Sequence, residues 1–305
     1  MENIALMELR RVQLASPGSN LRMLERGSES NADHVFLDLE DSVAPNQKVE
    51  SRATVVQALN EFDWSGKIAC VRVNGIDTEW FYGDLVEVVE GAGKNLDTIM
   101  LPKANRPADV YMLDQLLTQI ETHRGLEVGR IGIEAQIEMA EGMVNVNETA
   151  FASPRLRSLI FGPGDYSASV QARGLSIGAS EKYPGHVWHY AIHRIVVAAR
   201  AANVQVTDGP FADYQNLDGY RQSCEMALAL GCDGKWAIHP DQIDVAIDVF
   251  SPSEADIAKA RQIVVEYTEA LESGKGAIVV DGDMVDAATL KMAEIVSAKA
   301  DAAGL

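Results

Sequence analysis

Glu138, in QIEM, and Asp165, in GPGD, each follow a short apolar run, Ile131–Ile137 and Leu159–Phe161. Two carboxylates brought to one concave site, with waters and substrate oxygens filling the remaining positions, are the usual protein donors for Mg²⁺. Such a cation would chelate an α-oxo or α-hydroxy carboxylate and polarise its carbonyl. A local alternative stays open: Asp165 capping a helix from Tyr166, and Glu138 in the first turn of the next helix. Arg72 sits in VRVNG, inside an otherwise apolar run. A buried guanidinium is costly unless it meets a carboxylate, so the choice is between function and a structural ion pair. Its place near the end of the run favours function, with the fork steadying an enolate or carboxylate oxygen. LDLEDS adds Asp38, Glu40 and Asp41, and LPK adds Lys103. At least one of these acids is expected to pair with Arg72 or Lys103, and another to orient a metal-bound water. Lys103 has the chemistry of a Schiff-base nucleophile, but amid so many acids a salt-bridged lysine is the expectation.

Other motifs carry less. The glycines of Gly162–Asp165 expose backbone to a ligand and can aim N–H groups at an anion. No GxGxxG follows a strand and no GxxxxGK occurs, so dinucleotide and Walker-type phosphate sites lack support. His189 and His193 stand at i and i+4 without a third ligand or an HExxH. His239 reads as structural, and without GxSxG a serine triad is unsupported. Trp80, Trp188 and Trp236 are assigned to packing, and Arg10, Arg11, Arg22 and Arg26 to a solvated helix face.

These groups need elements to hold them. Eight apolar runs recur: Val12–Leu14, Val35–Leu39, Ile68–Val73, Thr98–Leu101, Ile131–Ile137, Leu159–Phe161, Val204–Thr207 and Trp236–Ile238. Helical patterns alternate with them, at about 20–30, then 45–60, 79–91, 107–123, 140–150, 185–202, 216–231 and 240–249. Strand alternating with helix at this spacing predicts an α/β fold, a (β/α)₈ TIM barrel whose active site lies at the C-terminal ends of the strands. Residues 1–250 then form the catalytic barrel. Residues 251–305 form a helix-hairpin-helix extension, with Ser251 or Ser253 as N-cap and Asp281-Gly282-Asp283 as a tight turn. The extension is expected to be too small for a core of its own, and so to pack on its barrel or on a neighbouring subunit.

The chain has 305 residues and a net charge of −19, which disfavours nucleic acid as a partner. No apolar stretch approaches the ~18 residues of a membrane span, and MENIALMELRR has no export-signal pattern. Three cysteines, an odd number without CxxC, fit reduced thiols in a cytoplasmic protein.

The segments SPGSN, FLDLEDSVAPNQK, VRVNGIDTEWFYGDL, IMLPKANRPADVY, QIEMAEGM, FGPGDYSAS, DGPFADY, GKWAIHPDQI, VFSPSEADIAKAR and DGDMVDAATLKMAE occur in order along nearly the whole chain. On these the chain resembles the citrate lyase β-subunit-like acyl-CoA lyases of the HpcH/HpaI aldolase superfamily. The resemblance implies Mg²⁺ dependence (Mn²⁺ as a substitute) and reversible Claisen-type cleavage of (S)-malyl-CoA to glyoxylate and acetyl-CoA. Partners would be an acyl-CoA, a 2-oxo acid and further copies of the chain, as a trimer or hexamer. It places Glu138 and Asp165 on the metal-ligand positions and Arg72 on the substrate-oxyanion position. It makes Asp286, in MVDAAT, the acid/base group that the extension delivers to a neighbouring subunit. Arg26 falls on a basic CoA contact beside the SPGSN loop with Ser19 and Asn20, and Gly164 accompanies Asp165 at the substrate. The chain is short around Gly178–Trp188, where a loop would border the acyl pocket, so acceptance of a methyl group, as in β-methylmalyl-CoA, is credible. The alternatives are a citramalyl-CoA lyase, a malyl-CoA thioesterase, and a citrate lyase β-type subunit acting on acyl-carrier-protein thioesters.

Overall fold

The computed structural model describes residues 8–172 and 186–305. Eight strands pair in parallel, each with the next, and β1 (Val12–Pro17) pairs with β8 (Gly234–Ala237) to close a barrel. Between these lie β2 (His34–Asp38), β3 (Ile68–Arg72), β4 (Thr98–Leu101), β5 (Gly132–Ile137), β6 (Leu156–Phe161) and β7 (Gln205–Asp208). Strands β2 to β5 are buried along their whole length. This is why they read as unbroken apolar runs and not as alternating ones. Inside the barrel Phe36, Cys70, Met100, Ile160 and Trp236 form one apolar cluster.

Helices return the chain between strands: α1 (Leu21–Glu29), α2 (Lys48–Glu61), α3 (Phe81–Ala92), α4 (Pro107–Arg124), α5 (Ala140–Thr149), α6 (Pro163–Ser169), α7 (His189–Ala201), α8 (Leu217–Leu230) and α9 (Ile243–Phe250). Local chemistry sets their ends. Asn20 caps α1 by accepting from the Met23 N–H, and α4 opens with Pro107 and stops where Gly125 turns left-handed at φ 66°. Two features depart from expectation. The short α6 begins at Pro163, so Asp165 lies in its first turn and does not cap a helix at Tyr166. The eighth helical segment opens as a 3₁₀ turn, Pro240–Gln242, capped by the His239 ring, before α9. The loop difference expected around 178–188 falls largely on residues 173–185, outside the described residues.

The arginine reading needs correction. Arg10 is fully buried, and its guanidinium bonds Glu134 and, at 2.8 Å, Gln205. Arg11 pairs with Asp33 at 2.7 Å. Neither lies on a helix, because both precede β1, where a buried carboxylate is within reach. Around Glu134 gather His34 at 3.0 Å, Thr98 at 2.9 Å and Gln13 at 3.1 Å. The barrel interior thus has a polar floor at the end opposite the carboxyl ends of the strands.

Residues from Asp248 onward group as a separate compact unit from Arg10–Ile247. It holds α10 (Glu254–Glu272), capped by Ser253, then β9 (Ile278–Val280) and β10 (Asp283–Val285), joined through Asp281-Gly282, and α11 (Ala287–Ala302). Both turn residues have positive φ, 51° and 89°, as an Asp-Gly hairpin requires. The expectation of no independent core is overturned. Ala260, Ile263, Tyr267, Val280, Val285 and Ala293 bury one another, with Val264, Ile278, Leu290 and Val296 packed around them. Two antiparallel helices on a hairpin suffice because each contributes one apolar face. No helix among the described residues is long and apolar enough to cross a membrane.

Candidate active site

The groups capable of chemistry follow the strand ends. Asp38 closes β2 and Arg72 closes β3, in lateral register. Arg72 donates from Nε and Nη2 to the two Asp38 oxygens, both at 2.7 Å, and its Nη1 lies 3.0 Å from Glu40. The guanidinium plane rests over Phe36 and Trp236, 5.4 and 5.3 Å from their ring centres. Burial opposes its charge, but Asp38, Glu40 and Asp41 outweigh that and raise its pKa. Asp38 is in turn held below the usual carboxylate range, the Arg72 charge and bonds overcoming burial. It also accepts from the Glu40 and Ser42 N–H groups, at 2.9 and 3.0 Å, which fixes the EDS turn. The exposed Asp41 reaches to within 3.7 Å of Arg72.

Lys103 is where the remaining acids meet. Its backbone N–H donates to Glu138 at 2.8 Å, and its ammonium bonds Glu40 and lies 3.3 Å from Asp165. Its φ is 49°, a left-handed backbone that side chains rarely adopt. Glu138 is buried at the end of β5, and its second oxygen accepts from Gln136. Burial, followed by the charge of Glu40, pushes its carboxyl up to about 8 against Lys103 and Arg72. Gly162 explains how it fits. A Cβ there would overlap Glu138 and stand 3.1 Å from Gln136 Nε2, so this glycine makes room for a carboxylate more than it exposes backbone.

The cluster fits a divalent cation. Five carboxylates (Asp38, Glu40, Asp41, Glu138, Asp165) face two paired cations, Arg72 and Lys103. One acid is already forced toward its neutral form. Added positive charge would relieve both effects. By contrast, the compact trio His34, Cys70 and Glu134 on the barrel floor does not suit a metal. Its Glu134 Oε1 already accepts from Arg10, His34 and Thr98, and the arginine repels a cation.

The other expected site residues are dispersed. Ser19 and Asn20 lie in the turn after β1, which the Gly18 N–H ties to the Asp38 carbonyl at 2.8 Å. Arg26 is exposed on α1, and Gly164 is half-buried in the first turn of α6. Among the described residues, no hydrogen bond or ion pair joins the Ser19, Asn20 or Arg26 side chain to the acidic cluster. Asp286 belongs to the other unit, where it caps α11 by accepting from the Ala288 and Thr289 N–H groups, each at 3.0 Å. The Thr289 bonds hold its carboxyl below the usual range.

Lys48 went unnoticed in the sequence. Its buried ammonium donates to the Leu39 and Glu40 carbonyls at 3.1 and 2.9 Å and to Asn74 at 2.6 Å, locking the EDS turn to the end of β3. Asn74 is held by Asp84, which Arg52 grips at 2.8 Å. A lysine in the first turn of α2 opposes the helix dipole, and that conflict was the available signal.

Residues 11–240 match the family model for HpcH/HpaI aldolase/citrate lyase. An L-malyl-CoA/β-methylmalyl-CoA lyase of Cereibacter sphaeroides is 40% identical over 95% of this chain and 94% of that protein. A (3S)-malyl-CoA thioesterase of the same species is 33% identical over 94% of this chain and 93% of that protein. Among solved structures, the protein CitE from Mycobacterium tuberculosis, in complex with magnesium, acetoacetate and coenzyme A, superposes with a TM-score of 0.76 at 27% identity, covering 97% of this chain and 100% of that one. With the barrel, the acidic strand ends and these likenesses together, the chain belongs to the HpcH/HpaI aldolase/citrate lyase family.

Proposed function

We propose that this chain is a Mg²⁺-dependent acyl-CoA lyase, cleaving (S)-malyl-CoA reversibly to glyoxylate and acetyl-CoA, and β-methylmalyl-CoA to glyoxylate and propionyl-CoA. The observation that carries the reading is the meeting of Glu40, Glu138 and Asp165 at Lys103, beside a clamped Arg72. The 40% identical relative that bears the lyase name supports the substrate, and the magnesium, acetoacetate and coenzyme A in the CitE complex support the cofactor class.

Glu138 and Asp165 would hold the cation, with Mn²⁺ as a substitute. The cation would polarise the aldehyde of glyoxylate and hold its carboxylate. Arg72, fixed by Asp38 and packed on Phe36 and Trp236, presents a fixed positive charge to the thioester oxygen as the enolate forms. Asp286, supplied by a neighbouring copy in a trimer or hexamer, takes a proton from the acetyl methyl carbon. The carbanion then forms the bond to the aldehyde carbon as the C=O π pair moves onto oxygen, the alkoxide regains the proton held by Asp286, directly or through water, and cleavage reverses these steps. Ser19, Asn20 and Arg26 are assigned to the CoA moiety, and Gly164 to the substrate beside Asp165. Three buried, unpaired cysteines are in keeping with a cytoplasmic enzyme.

The test is a coupled assay with Mg²⁺ and malyl-, β-methylmalyl- and citramalyl-CoA, following oxo-acid release and free thiol separately. Equal release of glyoxylate and acetyl-CoA is expected. Free malate with thiol but without glyoxylate would replace the lyase with a hydrolase, the reading the 33% identical thioesterase favours. Near-normal cleavage by Glu138→Ala would remove the metal assignment.

A further inference from the structure

Lys103 grips the acidic cluster in two different ways. Its N–H holds Glu138 through the main chain, while its ammonium bonds Glu40 and stands 3.3 Å from Asp165 Oδ2. The first grip belongs to any residue with a backbone N–H, and only the second depends on lysine. The left-handed φ of 49° is unfavourable for a residue bearing Cβ, so the local backbone gives no reason to prefer a lysine over glycine here. The long side chain instead has a partner set that a cation would want. It is partly exposed, so it has room to move, whereas Glu40 is buried and fixed by the Asp38–Arg72 pair and the Lys48 contact to its carbonyl.

Resting on the metal reading above, we propose that the Lys103 ammonium is a built-in competitor for the divalent cation at Asp165. Two cations cannot share one carboxylate at contact distance without strong repulsion. Metal entry therefore displaces the ammonium from Asp165, while Glu40 keeps it tethered nearby. The displaced charge is then available to an anionic oxygen of the incoming 2-oxo acid. The protein alone thus holds metal weakly, and metal and oxo acid tighten each other, since each relieves the cost the other meets. Lys103 is a positioning residue in this scheme and takes no proton.

The test titrates full-length protein with Mn²⁺ and reads free Mn²⁺ by electron paramagnetic resonance, with no CoA ester present. Lys103→Met should bind Mn²⁺ at least about tenfold tighter than the wild type, as expected for removing a like charge at contact range. Lys103→Arg should stay near the wild type. Glyoxylate, which the cation would itself hold, should tighten Mn²⁺ binding in both proteins, but by about tenfold more in the wild type than in Lys103→Met. If Lys103→Met does not fold, Lys103→Gly serves, because it keeps the N–H to Glu138 and suits the left-handed backbone. Folded Lys103→Met or Lys103→Gly binding Mn²⁺ no more tightly than the wild type overturns the proposal. Asp165→Asn separates the two levels: if it binds Mn²⁺ as well as the wild type, the metal assignment fails first and the proposal with it.

Discussion

Gly162→Ala places one methyl group in the space the Glu138 side chain already fills. The backbone at 162, φ −105° and ψ 90°, is open to any L-residue, so conformational strain does not contribute. The new Cβ would overlap Glu138 and meet Gln136 Nε2 at 3.1 Å. Gln136 can yield only by loosening its bond to Glu138, and Glu138 only by lengthening its 2.8 Å bond from the Lys103 N–H. Overpacking of this kind costs about 1–3 kcal/mol, or a fall in Tm of roughly 2–4 °C per kcal/mol for a domain of this size. The catalytic loss should be larger, because a shift of about 1 Å in a reacting group lowers rates on the order of 10²-fold. Activity and stability should therefore separate: a modest drop in melting temperature, about a hundredfold loss of glyoxylate release, and weaker Mn²⁺ binding. Melting curves and the coupled assay read both. An alanine variant within twofold of wild-type activity would show that Glu138 does not need the space Gly162 leaves.

Four further outcomes are expected. Arg72→Lys cannot reproduce the two-pronged bond to Asp38, and kcat should fall about 10²- to 10³-fold with the fold intact by circular dichroism. Lys48→Met strips donors from two carbonyls and Asn74, so chemical denaturation should show a loss of about 1–3 kcal/mol together with reduced activity. Asp286→Asn keeps a good helix cap and should melt within about 2 °C of the wild type while losing turnover. Mixing it with Glu138→Gln protein should restore activity if the two residues serve one site from different subunits, and failure after subunit exchange would refute that arrangement. For Glu134, burial favours the neutral acid, but Arg10 and His34 outweigh it and hold the carboxyl well below the usual range. A lowered folded-state pKa stabilises above the unfolded value of about 4.3 and is lost as pH falls below it. Glu134→Gln should cost about 3–5 kcal/mol at pH 7 and flatten the acid limb of a stability–pH curve below about pH 4.5. An unchanged slope would show that this group is not responsible.

The barrel was legible because its strands are buried on both sides and its helices are punctuated by proline, asparagine and glycine at their ends. The pairing of acids with Arg72 and Lys103 was also legible, since a charged residue ending an apolar strand has few ways to be satisfied. Besides Lys48, three things were not. Arg10 read as surface because its partner, Glu134, lies 124 residues away, and only barrel closure brings them together. Gly162 read as a ligand cradle because a missing side chain does not reveal which neighbour needs the space. The core of the C-terminal unit was missed because cross-strand contacts of a three-residue hairpin leave almost no periodic trace.

That self-sufficient core has an evolutionary consequence. A segment with an apolar cluster of its own need not draw that core from the eight-stranded closure. If Asp286 supplies the proton relay and the barrel supplies the cation, the two halves of the chemistry stand under separate folding constraints. Selection can then retune one while the other is held constant, so recombining tails from sister enzymes would vary the proton-transfer group against an unchanged cation site.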